Sequence, residues 1–349
     1  MTVTIKPNDL IPPDRYALSV AWNRVTTSGR FILGTEVRAF EEEWGDYCDG
    51  HCVAVGSGFD ALQLSLRALG IGRGDKVLVP SNTCMPTWLA VMAVMAQPVP
   101  IEPDPQTRNI DPRRIEAAID ADVKAIVPVH LYGMPANMLA IEDIAQRHGL
   151  VVIEDACQAH GAMPVGFSPF TCYSFYPTKN LGALGDGGAI IVHNAETANE
   201  LRKLRNYGMA GAVNSRMDEL QAAILRERLP MLDTWNEQRN EFASLYLEGL
   251  ANVPDITLPT VPAWAMPCWH QFVIQHKQRD KLRAFLASRS IDTLIHYPTP
   301  PHQALNLSYQ LPYADMMAAT VLSLPIAPHL TTRDIKRVIV NVREFCECE

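Results

Sequence analysis

The sequence predicts an α/β protein, with a large domain built on a mostly parallel sheet flanked by helices and a smaller C-terminal α/β domain. Three observations predict it. Short apolar runs alternate with amphipathic stretches from residue 52 to residue 192, and runs such as KVLV, AIVPV and LVVI lack the polar alternation of a half-exposed strand. A chain of 349 residues exceeds one average core, so about two domains are expected. The composition then shifts near Asn252 to a proline-rich stretch between Pro254 and Pro267. The expected division is a lead-in over 1–35, a large domain over 36–235 and a small domain over 236–349.

Taken in order, the lead-in carries Pro7, Pro12 and Pro13 and then a short helix ending before Gly29. Val37, Phe40, Trp44 and Tyr47 recur at helical spacing, and Gly50 closes that helix. A strand at 52–55 runs through Gly56-Ser57-Gly58-Phe59 into a helix with Leu62, Leu66 and Leu69 on one face. Strands at 76–79, 99–102 and 125–129 alternate with helices at 85–96, 112–119 and 138–148. Asp111 caps the second of these helices before Pro112. Strands at 150–153, 172–175 and 189–192 follow, then a helix at 196–205. Ser215-Arg216-Met217-Asp218 reads as a capping box opening a long amphipathic helix that Pro230 should kink. The small domain reads as strand 271–275, helix 280–288, strand 292–296, the loop 297–302 and a closing helix at 332–346.

Composition narrows the function. The chain is 48% hydrophobic and 19% charged, with 30 basic against 38 acidic residues, a net charge of −8 and no basic patch suited to a nucleic acid. The longest apolar run, 88–96, falls short of the roughly 20 residues that span a bilayer. The first residues lack a signal-peptide layout, so a cytoplasmic protein is expected. Of the eight cysteines, neither Cys48 with Cys52 nor Cys346 with Cys348 makes a paired C-x2-C frame. Free thiols and no metal are expected.

Chemistry concentrates in residues 150–192. The strand LVVI ends on Glu154 and Asp155, a second run leads through Ser174 to Lys179, and Gly185-Asp186-Gly187-Gly188 forms a return turn in which glycine permits positive φ. In parallel α/β sheets ligands bind at the carboxyl ends of strands, where Gly56–Phe59, Ser81–Cys84, His130–Tyr132 and Glu154–Gln158 all fall. Gly56-Ser57-Gly58 is either a tight turn or a phosphate cradle at a helix N-terminus. A lysine amine can form a Schiff base with an aldehyde cofactor. A carboxylate facing the ring nitrogen of pyridoxal phosphate lets that ring accept electrons. Lys179, Asp155, Ser174 and the amides around Ser57-Gly58-Phe59 suit those jobs.

The segments GSGFDALQLSLRALG, PVHLYGMP, VVIEDACQAHGA, SFYPTKNLGALGDGGAI, LRNYG, NSRMDELQAAIL and LIHYPTPPH resemble the DegT/DnrJ/EryC1/StrS sugar aminotransferase family, in order, over residues 31–302. The resemblance implies the type I pyridoxal-phosphate-dependent transferase fold, with pyridoxal phosphate as cofactor. It also implies amination of a nucleotide-linked keto sugar by glutamate, the closest subgroup acting on dTDP-3-keto-6-deoxy sugars. It makes Lys179 the Schiff-base lysine and proton shuttle, and pairs Asp155 with the ring nitrogen. It sets Gln158 near the ring oxygen and puts Ser174 with Ser57, Gly58 and Phe59 on the phosphate. Asn214 resembles the asparagine that reaches the phosphate from the partner subunit, implying a homodimer with shared sites. His160, Asn180, Tyr207, His296 and Tyr297 are implied substrate contacts.

The chain departs from the family in three places. Residues 163–171 and 209–213 are shorter than usual, and Cys84 stands where an aromatic often stacks on the cofactor ring. Two rival readings remain at this stage. One is a deoxysugar dehydratase, disfavoured because such relatives carry histidine in place of Lys179. The other is a non-catalytic sensor that keeps the fold.

Overall fold

The computed structural model describes Ile5 and residues 14–347, so Pro7, Pro12, Pro13 and Cys348 lie outside the described residues. Nine strands are described: β1 (His51–Val55), β2 (Lys76–Pro80), β3 (Gln97–Ile101), β4 (Val123–Ile126), β5 (Val151–Asp155), β6 (Phe170–Ser174), β7 (Gly188–Val192), β8 (Phe272–Gln275) and β9 (Val321–Leu324). The first seven form one sheet in the order β1-β7-β6-β5-β4-β2-β3. Pairing is parallel from β3 to β6, and β7 runs antiparallel to both β6 and β1.

Both faces of the sheet are covered, which explains its mostly apolar strands. On one face Val53, Val55, Cys172, Ile190 and Val192 pack under α3 (Gly58–Ala68) and α4 (Met85–Ala93), which supply Leu62, Leu64, Leu66, Trp88 and Val91. The opposite face, through Ala54, Tyr173, Ala189 and Ile191, meets α2 (Thr35–Tyr47) with its Val37, Phe40 and Trp44. Helix α1 (Arg15–Ser28) lies on the outside, where its Ala21 and Val25 meet Ala223 and Ile224. It ends at Gly29, in the left-handed region at φ 64°. Beyond β3 come a single turn, α5 (Pro112–Ile115), then α6 (Met138–His148), α7 (Ala195–Leu204) and α8 (Glu219–Arg228). The helix expected over 112–119 is therefore an α turn continued by a 3-10 turn at Glu116–Ala118.

Pro230 breaks the long helix as expected. A 3-10 turn at Leu229–Met231 separates α8 from α9 (Leu232–Gly249). The capping box does not form. Asp218 makes no side-chain cap, and α8 starts at Glu219. The Glu219 carboxylate instead accepts the amides of Gly34, Glu36 and Val37 at 2.7, 2.9 and 3.0 Å, so it caps α2 across a sequence gap of more than 180 residues. The Ser215 hydroxyl accepts the Gly56 amide at 3.0 Å.

A second core gathers Phe242 and Tyr246 of α9, Leu282 and Leu286 of α10 (Arg279–Ser288), and the β8–β9 pair. After the short α11 (Pro301–Ala304) and α12 (Pro312–Thr320), α13 (Thr332–Glu347) completes it with Ile335, Val338 and Val342. The strand expected at 292–296 is not formed. Leu294 makes one bridge with Ser323, and His296-Tyr297 then turn toward the large domain. The real partner of β8 is β9, whose four apolar-flanked residues directly follow α12 without a turn signal.

Candidate active site

Register gathers the site. Gly188 of β7 pairs with Val55 on one side and Ser174 on the other, bringing the ends of β1 and β6 together. A Cβ on Gly188 would stand 2.3 Å from the Ser57 carbonyl oxygen. One on Gly58 would stand 2.6 Å from Ser174 Cβ and 2.7 Å from Cys157 Sγ. Glycine is needed here for close approach. None of Gly185, Gly187 and Gly188 has positive φ, contrary to the reading of that turn.

The resulting cavity has a volume of about 310 Å³ and lies at the carboxyl ends of the strands. Ser57, Gly58, Phe59, Asp155, Gln158, Ser174 and Lys179 all line it, as do Thr83, Cys84, Thr87, Cys157, Tyr176 and Asp186. Ser57 caps α3: its hydroxyl accepts the Asp60 amide at 3.1 Å and bonds the Asp60 carboxylate at 3.0 Å. Its side chain is thus committed locally, and what faces the cavity is the first turn of α3 with its orphan amides.

Asp155 closes β5 and is 4% exposed. Thr87 Oγ1 donates to its Oδ2 at 2.8 Å, and the Cys157 amide donates to its Oδ1 at 3.2 Å. Thr87 was missed in the sequence, although it is the lone hydroxyl in the otherwise apolar run 85–96. Gln158 is fixed at both ends: its Oε1 accepts the Tyr132 amide at 2.7 Å and its Nε2 donates to the Tyr297 hydroxyl at 2.8 Å. Lys179 is half-buried on the loop after β6, its backbone amide donating to the Tyr176 carbonyl. It is the only cation among the lining residues.

The remaining expected residues are placed elsewhere. His160 is fully buried against the rings of Trp44, Tyr173 and Phe175. Neither ring nitrogen makes a well-formed hydrogen bond, and burial holds its pKa down at about 3. It is a core imidazole outside the cavity. Asn180 is also buried, with Nδ2 donating to Asn236 and to the Cys268 carbonyl, and Oδ1 facing His270 Nδ1 at 3.1 Å. All its polar groups are spent on anchoring the lysine loop, so it has none for a substrate. His296 lies beside the cavity, its Nδ1 2.8 Å from the Ser323 hydroxyl and its pKa pushed down to about 4 by burial. Tyr207 is exposed, with the Arg216 guanidinium 5.8 Å from its ring centre. Asn214 is exposed and lies outside this chain's cavity.

The shortened segment is held by a buried pair. His130 Nδ1 accepts the Ala136 amide at 3.0 Å, so Nε2 carries the proton and donates to Glu154 at 2.9 Å. Glu154 also accepts the amides of Gly166 and Ser168 at 3.0 and 2.7 Å. Although burial opposes ionisation, His130 and these amides hold its carboxyl below the usual range. Glu154, the acid next to Asp155, therefore serves the fold. Among the described residues no group of His, Cys, Asp and Glu could hold a metal, and no helix is long and apolar enough to cross a membrane.

The donor set fits a phosphorylated aldehyde cofactor: helix-end amides beside a serine hydroxyl, a buried carboxylate with its own hydrogen bonds, and one amine. A lysine and a buried carboxylate lining one cavity at the strand ends of a mostly parallel α/β sheet, with a smaller C-terminal α/β unit, match the class of type I pyridoxal-phosphate aminotransferases. The family model of the DegT/DnrJ/EryC1/StrS aminotransferase family matches residues 17–343, and the chain belongs to that family. It is 49% identical to the dTDP-3-amino-3,4,6-trideoxy-alpha-D-glucose transaminase of Streptomyces venezuelae, covering 93% of this chain and 90% of the relative. It is 46% identical to the dTDP-3-amino-3,6-dideoxy-alpha-D-galactopyranose transaminase of Aneurinibacillus thermoaerophilus, covering 93% and 94%. The crystal structure of S. venezuelae DesV in complex with a ketimine intermediate superposes with a TM-score of 0.92 at 48% identity, covering 95% of each chain.

Proposed function

We infer that the chain is a pyridoxal-phosphate-dependent aminotransferase that moves an amino group from glutamate to a keto sugar carried on dTDP, with a 3-keto-6-deoxyhexose as the preferred acceptor. One observation carries this reading: Lys179, Asp155, Gln158, Ser174 and the first turn of α3 surround a single cavity of about 310 Å³. The two relatives named for dTDP-3-amino sugars support the choice of acceptor.

When bound, the cofactor supplies an electron sink for the carbon whose proton is moved. The chain's residues do the rest. Lys179 Nζ would hold the aldehyde and move the proton as general base and acid. Asp155, fixed by Thr87 and the Cys157 amide, would present its carboxylate to the ring nitrogen. Ser174 with the amides of Gly58 and Phe59 would hold the phosphate at the positive end of α3. Lys179 is the sole cation in a lining that also carries Asp155 and Asp186, so the carboxylates of glutamate and the diphosphate of the sugar nucleotide draw on cations from outside it. This supports a homodimer in which exposed Asn214, with neighbouring Arg216, completes the partner's site. A cytoplasmic location belongs to the same reading, because its substrates are free nucleotide sugars.

The purified chain, supplied with pyridoxal phosphate, should show the absorbance of lysine-bound cofactor, and Lys179→Ala should abolish it. Glutamate should bleach that band, and mass spectrometry over dTDP- and UDP-linked keto sugars should identify the aminated product. A chain that takes up no cofactor sinks the reading. A chain whose band glutamate leaves untouched is the non-catalytic sensor.

A further inference from the structure

Gln158 is 4% exposed, and its amide has only one orientation compatible with its neighbours. The Tyr132 group facing it is a backbone N–H, which can only donate, so Oε1 must lie there and Nε2 must point the other way. Nε2 carries two hydrogens. The Tyr297 hydroxyl accepts one at 2.8 Å, and the other remains for the cavity that Gln158 lines. The phenol oxygen, having accepted, keeps its own hydrogen to donate.

Tyr297 reaches this place from the small domain because Tyr132 holds both ends of the connection. The Tyr132 amide fixes Gln158, and its hydroxyl donates to the His296 carbonyl. Tyr132 is buried at φ 62°, which turns its amide and its side chain toward these two partners.

We propose that Tyr297 is a positioning residue for the cofactor: its hydroxyl holds the Gln158 amide so that the second N–H addresses the ring oxygen. This role presupposes that pyridoxal phosphate occupies the cavity as inferred above, with Gln158 at the ring oxygen. It gives the small domain a direct hold on the ring through one side-chain amide.

Tyr297→Phe keeps the ring and removes the oxygen. The full chain, stripped of cofactor and titrated with pyridoxal phosphate, should bind roughly three- to tenfold more weakly in this variant, the range expected for one lost hydrogen bond. The band of the lysine-bound cofactor should shift its pH midpoint, because the Gln158 donor no longer sits squarely on the ring oxygen. A tyrosine that merely joins the domains would instead lower the melting temperature and leave affinity and midpoint where they are, which overturns the proposal. A wild type without a band, or a Lys179→Ala variant that keeps one, defeats the cofactor reading itself and not the role of Tyr297.

Discussion

The α-carbon of Gly188 packs against the carbonyl of Ser57 so closely that a methyl group would come within 2.3 Å of its oxygen. Because that oxygen belongs to the backbone at the start of α3, the clash cannot be relieved by a rotamer change. Gly188→Ala should destabilise the chain by about 1–3 kcal/mol, as overpacking does. It should also push the first turn of α3 away from Ser174. Chemical denaturation together with a pyridoxal phosphate titration checks this. Unchanged cofactor affinity would mean that the β7 end does not set the cradle.

Thr87 tests the ring-nitrogen partner without touching it. Its hydroxyl donates to the Asp155 carboxylate in a buried site, and Thr87→Val replaces it with a methyl of similar size. Losing a hydrogen bond to a charged group costs about 1.5 kcal/mol, or roughly tenfold in cofactor affinity. The titration should show that loss while the glutamate-dependent bleaching persists at saturating cofactor. Wild-type affinity in Thr87→Val would show that Asp155 needs no such support.

The Glu219 carboxylate accepts three amides at the start of α2, and it is fully buried. Glu219→Ala leaves these donors without their acceptor and should cost about 2–4 kcal/mol of stability. Glu219→Gln, which keeps one carbonyl oxygen, should lose less. A urea titration in which Glu219→Ala matches wild type would contradict this capping role.

Acid should destabilise the chain through its buried imidazoles. His160 has its folded pKa held down at about 3 by burial, from 6.5 in the free side chain. Between those values the unfolded chain binds one more proton than the folded chain, so stability is fully present above about pH 6.5 and is lost as pH falls toward 3. His296 acts in the same direction, with a folded pKa of about 4, and so does His270. His160→Leu should make the fall shallower by about 1.4 kcal/mol per pH unit, the slope of one proton. Denaturation midpoints from pH 7 down to pH 4.5 measure it, and an unchanged slope would show that His160 finds a proton in the folded state.

Local pattern was enough to determine most of the large domain and part of the site. Asp155, Gln158, Ser174 and Lys179 sit within 25 residues at the ends of two strands, or just past them, and those strands are neighbours in both sequence and sheet. A strand end followed by small and polar residues marks Asp155, Ser174 and Lys179 without knowledge of the rest, and the family resemblance adds Gln158. Only the tertiary structure decided the remainder. Ser57 and Gly58 meet Ser174 because β7 inserts antiparallel between β1 and β6, an order that no local signal encodes. Asp186 joins the cavity through the same return, although the turn around it reads as purely structural. Thr87, Tyr297 and Glu219 act on residues 68, 139 and more than 180 positions away. His160 and Asn180 are the converse case: polar residues beside the catalytic stretch whose side chains enter the core. In a loop there is no period of 2 or 3.6 to say which way a side chain faces, so burial is settled by what packs against it. Sequence determined which chemistry the chain carries, and packing determined which of those groups point at the cavity.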